Sequence, residues 1–375
     1  MCSIRGSGYN NPPLSPLPAG RQALEKGDEG GFEKRRFVLQ YVNEMTPSGI
    51  VEQEKLLRVS NLRTRFHIYE GMVTAVDGIN LDVYRGETLG VVGESGCGKS
   101  VTALSILRLL ASPPAEIQGT ILFGGVNLLD LNLDEIRRIR GNAISMIFQE
   151  PMTSLNPVLT IGEQISEAIR LHQGVHRQEA WSKAVEMLQM VQIPSPDMRA
   201  HEYPHQLSGG MRQRAMIAMA LSCHPRLLLA DEPTTALDVT IQAQIVDLME
   251  RLKEEFDTSI VLITHNLGLI AEMAKRVLVM YMGKVVEEAP VEDLFQEPLH
   301  PYTQGLLESI PWIGKKLKTG RRQLQEIPGI VPSLLEMPEG CRFHPRCSRV
   351  MNICSKEEPP LVQKDGRRVL CWLWK

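Results

Sequence analysis

The stretch TLGVVGESGCGKSVTALSILRLL, residues 88–110, decides the fold. Residues 88–92 are mostly apolar and lead directly into a glycine, which is typical of a buried strand that ends in a tight turn. Residues 93–100, GESGCGKS, fit the pattern G-x-x-x-x-G-K-[ST], and a helical pattern follows them. A strand, a glycine-rich turn and a helix in this order predict a loop that wraps around a phosphate group.

Each residue type in this loop suits the binding of a nucleotide. Glycines let successive backbone N–H groups converge on phosphate oxygens without a clash from a Cβ atom. We expect Lys99 to reach the β- and γ-phosphates of ATP and the Ser100 hydroxyl to bind Mg²⁺. Cys97 is expected to fill space rather than to react. The predicted nucleotide-binding residues of the loop are Gly93, Glu94, Ser95, Gly96, Cys97, Gly98, Lys99 and Ser100.

Several other segments have strand patterns, and helical patterns such as residues 162–173 and 179–191 lie between some of them. Strands that alternate with helices predict an α/β fold, in which a mostly parallel sheet carries helices on both faces. The strand candidates are residues 56–66, 75–87, 88–92, 143–148, 226–231 and 259–265.

Polar residues follow three of these strands. In LLLADEPTTALD, residues 227–238, Asp231 ends an apolar strand and is predicted to hold Mg²⁺ through water. Glu232 follows it and is placed to polarise an attacking water as a general base. His265 ends the next strand, where ligands of open α/β sheets bind, and is predicted to sense the γ-phosphate. By the same logic Gln149 is predicted to contact Mg²⁺ or the attacking water.

A second candidate phosphate site lies at LSGGMRQR, residues 207–214. Ser208, Gly209 and Gly210 would stand at the start of a helix, where unpaired N–H groups and the helix dipole favour an anion. The sequence therefore predicts two phosphate-binding sites, of which the first is sufficient for one nucleotide.

The order of these motifs resembles that of the ATP-binding subunits of ABC transporters, over residues 55–290. The motifs that carry the resemblance are GESGCGKS, FQEP at 148–151, LSGG, LLLADEP, TALD at 235–238 and ITHN at 263–266. The resemblance implies an ATPase with a P-loop NTPase core, a helical subdomain at about residues 150–222, and ATP hydrolysis coupled to transport of a solute. In that family two such domains pack head to tail, so that each LSGG faces the ATP of the other. This accounts for the second site.

The resemblance also implies roles for single residues. Ser208, Gly209 and Gly210 would bind the ATP held by a second ATPase subunit, and Asp238 belongs to the same nucleotide-binding set. The segment after Gln149 would receive the membrane partner. An aromatic residue before the phosphate loop stacks on adenine in the family, and Tyr69 is the nearest candidate here, with an ordinary packed or surface tyrosine as the alternative.

Residues 291–375 resemble the C-terminal extension of the oligopeptide, dipeptide and nickel importers, on the stretches 298–311 and 340–361. That subgroup implies import of peptides, with nickel as the alternative solute. It implies a different second ATPase, and thus a heterodimer, together with two transmembrane permease subunits and an extracytoplasmic solute-binding protein. The chain would then lie on the cytoplasmic face of the inner membrane as a peripheral protein.

Four cysteines of this extension, Cys341, Cys347, Cys354 and Cys371, have the spacing C-x5-C-x6-C-x16-C. Thiolates close together in a module with little apolar core suggest a metal that stabilises the fold, either an iron–sulfur cluster or zinc. The spacing lacks the C-x-x-C pairs of zinc ribbons, and the resemblance favours a [4Fe–4S] cluster. Zinc and free structural thiols remain the alternatives.

The composition narrows the function classes. A net charge of −3 argues against a dedicated nucleic-acid binder, which is usually basic on one face. Residues 1–50 are rich in Gly, Pro, Ser and charge, which predicts disorder. Soluble ABC ATPases of translation or DNA repair are the alternative class. They commonly carry two ATPase domains or long coiled-coil insertions, and the sequence shows neither.

Overall fold

The computed structural model describes residues 54–150, 154–235, 237–309 and 327–375. The disorder predicted for residues 1–50 falls outside these ranges. The strands are β1 Lys55–Ile68, β2 Gly71–Tyr84, β3 Thr88–Val92, β4 Ala115–Phe123, β5 Val126–Asn127, β6 Ile144–Ile147, β7 Leu227–Asp231, β8 Ser259–Ile263, β9 Arg276–Tyr281, β10 Lys284–Pro290, β11 Leu361–Lys364 and β12 Arg367–Leu370. The α-helices are α1 Lys99–Ile106, α2 Leu133–Ile139, α3 Ile161–Gln173, α4 Arg177–Met190, α5 Pro196–Ala200, α6 Gly209–Leu221, α7 Val239–Phe256, α8 Leu267–Met273, α9 Val291–Gln296 and α10 Pro301–Glu308.

The main sheet has eight strands in the order β11-β12-β10-β9-β3-β8-β7-β6. The five strands from β9 to β6 are parallel to one another. The strands β3, β7 and β8 are buried at all five of their positions. Parallel strands covered on both faces are expected to be almost continuously apolar, as these are. The predicted α/β fold is confirmed.

The register of the parallel strands brings their carboxyl ends to one edge. Val91 in β3 pairs with Ile263 in β8, and Asp231 in β7 pairs with the same residue from the other side. The loops that follow these three strands therefore start side by side. An edge of this kind is where open α/β sheets bind their ligands.

A smaller antiparallel sheet, β2-β1-β4-β5, contains the longest strands. The main-chain N–H of Asp77 in β2 bonds to the carbonyl of Gly283, at 2.9 Å, in the turn between β9 and β10. This contact joins the small sheet to the main sheet close to the phosphate loop.

The helices between β6 and β7 begin and end at defined signals. Thr160 and Glu163 form a capping box at the start of α3, and Gly174 ends that helix in a left-handed conformation. Ser208 caps the start of α6, where it accepts a hydrogen bond from the Met211 N–H. In the described ranges, no helix combines the length and the apolar character that a membrane span requires.

The C-terminal extension shares the main sheet with the ATPase core. β12 pairs antiparallel with β10, matching Glu287 to Val369, so that the β11–β12 hairpin lengthens the sheet at that edge. The fully buried Glu287 carboxylate accepts hydrogen bonds from the N–H groups of Leu299 and His300, at 2.7 and 2.9 Å. The extension is distinct in composition but continuous with the core in structure.

Candidate functional site

The phosphate loop between β3 and α1 requires glycine at two positions. Gly93 has φ 155°, and a Cβ there would lie 2.2 Å from the carbonyl oxygen of Met280. Gly98 has φ 101°, and a Cβ there would lie 2.5 Å from the carbonyl oxygen of Ala75. Since both obstacles are backbone atoms, no change of side-chain rotamer would relieve them. The loop therefore lies tightly against the strands below it.

Lys99 lies across the loop that it is predicted to serve. Its Nζ donates to the carbonyl oxygens of Gly93, at 2.8 Å, and Glu94, at 3.0 Å. A phosphate oxygen entering the loop would compete for these same donors. Cys97 is buried beneath the loop, and burial raises the pKa of its thiol. Its burial suits the space-filling role that the sequence predicts for it.

Asp231 and Ser100 form a site that suits a magnesium ion. Asp231 ends β7, is 3% exposed, and accepts a hydrogen bond from the Ser100 side chain. Its Oδ1 is buried with no hydrogen-bond partner among the described residues. Such an unsatisfied carboxylate oxygen costs about 1–3 kcal/mol or more. Mg²⁺ prefers hard oxygen ligands of this type, so the donor set fits the predicted metal.

Glu232 is the centre of a polar network above the loop. Its Oε2 accepts hydrogen bonds from Thr235 Oγ1, at 2.8 Å, and Gln149 Nε2, at 3.1 Å. His265 Nδ1 lies 3.1 Å from its Oε1. The structure thus brings together three residues that the sequence predicted separately. Thr235 was not predicted individually, because a threonine in a turn gives no distinguishing signal.

The pKa values of the adjacent carboxylates Asp231 and Glu232 are shifted in opposite directions. Burial raises the pKa of Asp231 above its ordinary value, against the effect of the hydrogen bond from Ser100. Burial also raises the pKa of Glu232, but hydrogen bonds from His265 and Thr235 outweigh it, so that this pKa lies below its ordinary value. Glu232 is therefore ionised at neutral pH, which is the form that accepts a proton from water.

The backbone at Glu232 is also specialised. Its φ is 48°, in the left-handed region, where a non-glycine residue costs of order 1–3 kcal/mol. Its N–H donates to the carbonyl of Ile263 in the neighbouring strand, at 2.8 Å. The bond holds the strained turn in place, and the side chain is directed to Gln149 and His265 rather than along the strand.

The second phosphate site presents an open surface. Ser208 and Gly209 are exposed at the start of α6. A Cβ placed on Gly209 would meet no heavy atom of the described chain within 4 Å, whereas one on Gly210 would lie 3.2 Å from Ile241. Asp238 caps α7 by accepting from the N–H of that isoleucine, at 3.0 Å. The predicted residues of LSGG and TALD therefore converge at Ile241.

Tyr69 lies in the turn between β1 and β2, and its side chain is fully exposed. It is therefore a surface residue rather than a packed one. An exposed ring is available to stack on a base, and adenine binding by Tyr69 stays a prediction.

The structure adds two contacts to the loop that the sequence did not predict. Tyr302, in α10, accepts a hydrogen bond from the Glu94 N–H, at 2.8 Å. Arg346 binds the Glu94 carboxylate through both terminal nitrogens, at 2.7 and 3.0 Å. Both residues come from the C-terminal extension, so only the folded chain brings them to the nucleotide site.

The four cysteines of the extension lie near one another. The thiols of Cys354, Cys371 and Cys347 are close enough to Cys341 to add to the effect of burial, which raises the Cys341 pKa to about 11. The six cysteines in the described ranges are free thiols. In the same ranges, no group of three or more His, Cys, Asp or Glu side chains is arranged to hold a metal ion. The structure therefore gives no support to the predicted zinc site or iron–sulfur cluster.

Comparison with known proteins agrees with this site. Residues 76–235 match the family described as ABC transporter, and residues 286–354 match the family described as oligopeptide/dipeptide transporter, C-terminal region. The chain is 53% identical to the probable peptide ABC transporter ATP-binding protein y4tR of Sinorhizobium fredii over 84% of this chain and 94% of that protein. It is also 53% identical to the oligopeptide transport ATP-binding protein AppD of Bacillus subtilis over 85% of this chain and 97% of that protein.

A solved structure shares the fold. The dimeric post-hydrolysis state of the ATP-binding cassette MJ0796, bound to ADP and Pi, has a TM-score of 0.57 and 29% sequence identity to this chain. The similarity covers 63% of this chain and 98% of that one. One conclusion follows from the phosphate loop, the adjacent carboxylates, the share of each relative that the similarity covers and the matched C-terminal region. This chain belongs to the ABC transporter ATP-binding proteins, in the group that carries the oligopeptide/dipeptide transporter C-terminal region.

Proposed function

We propose that this chain is the ATP-hydrolysing subunit of a peptide importer. The observation that carries the proposal is the network around Glu232, which places an ionised carboxylate among Gln149, Thr235 and His265 beside the phosphate loop. The peptide specificity is supported by the matched C-terminal region and by relatives named for peptide and oligopeptide transport.

The contacts around the phosphate loop and Glu232 support a separate role for each side chain in hydrolysis. Glu232 accepts a proton from the attacking water, and Gln149 and His265 hold its carboxylate and contact the water and the γ-phosphate. Lys99 exchanges its carbonyl partners for phosphate oxygens. Ser100 and Asp231, together with Gln149, would hold Mg²⁺, which would neutralise charge on the phosphates when bound. Loss of the γ-phosphate then removes the ligand that these side chains share.

The second phosphate site supports a dimer that encloses nucleotide. The space around the Gly209 Cα is empty, and no contact within the described chain requires a glycine there. Ser208 is exposed at the same helix N-terminus. A partner's ATP that approaches this surface closely would account for both features. The second ATPase would be a different chain of the same family, as the resemblance implies.

Transport requires further subunits and a position at the membrane. The proposed complex contains two transmembrane permease subunits and an extracytoplasmic solute-binding protein, with this chain bound peripherally at the cytoplasmic face of the inner membrane. The segment after Gln149 would contact the permease, because it joins the helices α3–α6 to a side chain of the active-site network. The movement that closes the dimer on ATP would in this way be transmitted to the permease. No nucleic acid takes part in this function.

The proposed domain division follows the motifs. Residues 1–50 form an extension, residues 55–290 form the ATPase domain with its helical subdomain at about 150–222, and residues 291–375 form the peptide-transporter extension. Tyr69 would stack on adenine at the edge of the ATPase domain.

The cysteines of the extension carry a separate proposal, a [4Fe–4S] cluster on Cys341, Cys347, Cys354 and Cys371. Its support is the resemblance of the extension to that of the peptide and nickel importers, with zinc and free structural thiols as the alternatives. Iron and sulfide analysis after anaerobic purification tests it. About four iron atoms and four sulfides per chain are expected, whereas a colourless, iron-free protein would refute the cluster.

Peptide uptake tests the function as a whole. Cells that depend on this transporter should lose uptake of labelled dipeptides when they carry Glu232→Gln, while the purified variant still binds MgATP. Lys99→Ala should lose both uptake and ATP binding, because it removes the phosphate ligand. Glu186→Gln, on the exposed surface of α4, is the matched control and should behave as the wild type. Normal uptake with Glu232→Gln would overturn the proposed chemistry, and unchanged peptide uptake in cells that lack this chain would overturn the proposed substrate.

A further inference from the structure

One residue of the phosphate loop, Glu94, is held at three of its polar groups. Its N–H donates to the Tyr302 hydroxyl, at 2.8 Å, and its carbonyl accepts from Lys99 Nζ, at 3.0 Å. Its carboxylate accepts two parallel hydrogen bonds from Arg346. Two of these three partners belong to the C-terminal extension, so the extension fixes the start of the loop through both backbone and side chain.

Arg346 is itself held firmly. Its side chain is 4% exposed, and its Nε donates to the Pro328 carbonyl, at 3.0 Å. Its guanidinium also lies 5.8 Å from the ring centre of Tyr281. Planar two-point binding of a carboxylate fixes direction as well as distance. A side chain with this many partners cannot leave Glu94 without disturbing the packing around it.

The charge of Glu94 and its neutralisation by Arg346 affect the binding of ATP. Glu94 belongs to the sequence that wraps the phosphates, and its carboxylate would repel them if it were unpaired. The ordinary expectation is a loop that offers only N–H groups and cations to an anion. Here a carboxylate is present, and the extension supplies the cation that neutralises it.

We propose that Arg346 is a positioning residue for ATP, which neutralises and orients Glu94 so that the C-terminal extension sets the nucleotide affinity of the phosphate loop. The proposal rests on ATP binding at this loop and not on the identity of the imported solute. Arg346 acts through Glu94, whose carboxylate it binds. The stretch around residue 346 therefore serves the ATP site as well as the extension.

Equilibrium titration of the full-length chain tests the proposal, with ADP and with a nonhydrolysable ATP analogue at one Mg²⁺ concentration. Arg346→Ala should weaken binding of the ATP analogue about tenfold, which corresponds to about 1.4 kcal/mol. The loss should be smaller for ADP, which carries less charge. Glu94→Gln combined with Arg346→Ala should recover most of the affinity, because the unpaired charge is gone, and Arg346→Lys should lose less than Arg346→Ala.

The controls separate this role from a structural one. Arg367→Ala removes another buried arginine of the extension, which bonds to the Glu297 carbonyl at 2.9 Å, and should leave nucleotide affinity unchanged. Arg346→Lys keeps the positive charge beside Glu94 and so tests the proposal even if Arg346→Ala fails to fold. Equal losses for Arg346→Ala and the double variant, equal losses for ATP and ADP, or equal losses for Arg346→Lys and Arg346→Ala would each overturn the proposal. These results do not affect the test of peptide uptake, so the two proposals can fail independently.

Discussion

Gly209 offers a prediction in which stability and activity move in opposite directions. It is the first residue of α6, it is exposed, and a Cβ there would meet no atom of the described chain within 4 Å. Its backbone is helical, so alanine adopts the same conformation and loses less entropy on folding. Gly209→Ala should therefore raise the free energy of unfolding by about 0.5–1 kcal/mol. The melting temperature should rise by about 1–3 °C.

The same methyl group should impair ATP hydrolysis. If a partner's phosphate approaches the N–H groups at the start of α6, the added Cβ occupies the space between them. Loss of one backbone donor to a reacting anion costs on the order of a hundredfold in kcat. ATPase activity of the assembled transporter should fall by about that factor, while ATP binding at the phosphate loop of the same chain stays unchanged.

Gly174→Ala is the matched control, because it should give the opposite pattern. Gly174 ends α3 at φ 67°, so alanine there should lower the melting temperature and leave the specific ATPase activity intact. Thermal unfolding and steady-state hydrolysis on both variants check the pair. A Gly209→Ala transporter that hydrolyses ATP at the wild-type rate would show that no phosphate approaches this surface, and the reasoning would be refuted.

Two further predictions concern adenine and pH. Tyr69→Ala should weaken ATP binding about fivefold or more, since stacking is worth roughly 1–3 kcal/mol. Because Tyr69 is fully exposed, the melting temperature of the protein should not change. Unchanged ATP affinity would exclude stacking. Burial lowers the pKa of His300 to about 3 in the folded chain, so the unfolded chain binds more protons and stability is lost as pH falls below 6.5. Between pH 6.5 and 5 this amounts to about 2 kcal/mol, and His300→Asn, which retains a capping side chain, should remove most of that slope in denaturant titrations; an unchanged slope would contradict the assignment.

The sequence was sufficient for the parts of the site whose chemistry requires fixed residue types at short spacing. Gly93 and Lys99 follow the buried strand β3, Asp231 ends β7 and Glu232 follows it. Parallel register brings those strand ends together without further information. The physical requirement is local, so a local pattern reveals it.

The contacts from the extension could not be predicted in this way. Arg346 and Glu94 are 252 residues apart, and only the fold of the C-terminal extension brings them into contact. The stretches that contain Tyr302 and Arg346 carried the resemblance to the peptide-importer group, but their residue types gave no sign of a partner in the phosphate loop. A buried tyrosine and a buried arginine have many candidate partners, and only the folded chain selects among them.

ATP is proposed to be enclosed between two ATPase subunits, and the molecular mass in solution measures this most directly. The Glu232→Gln chain is analysed by light scattering with and without MgATP, alone and mixed with the companion ATPase of its transporter. We predict a nucleotide-dependent shift from single chains to a pair, lost with Lys99→Ala. Single chains at every concentration, with MgATP and with the companion present, would contradict the account.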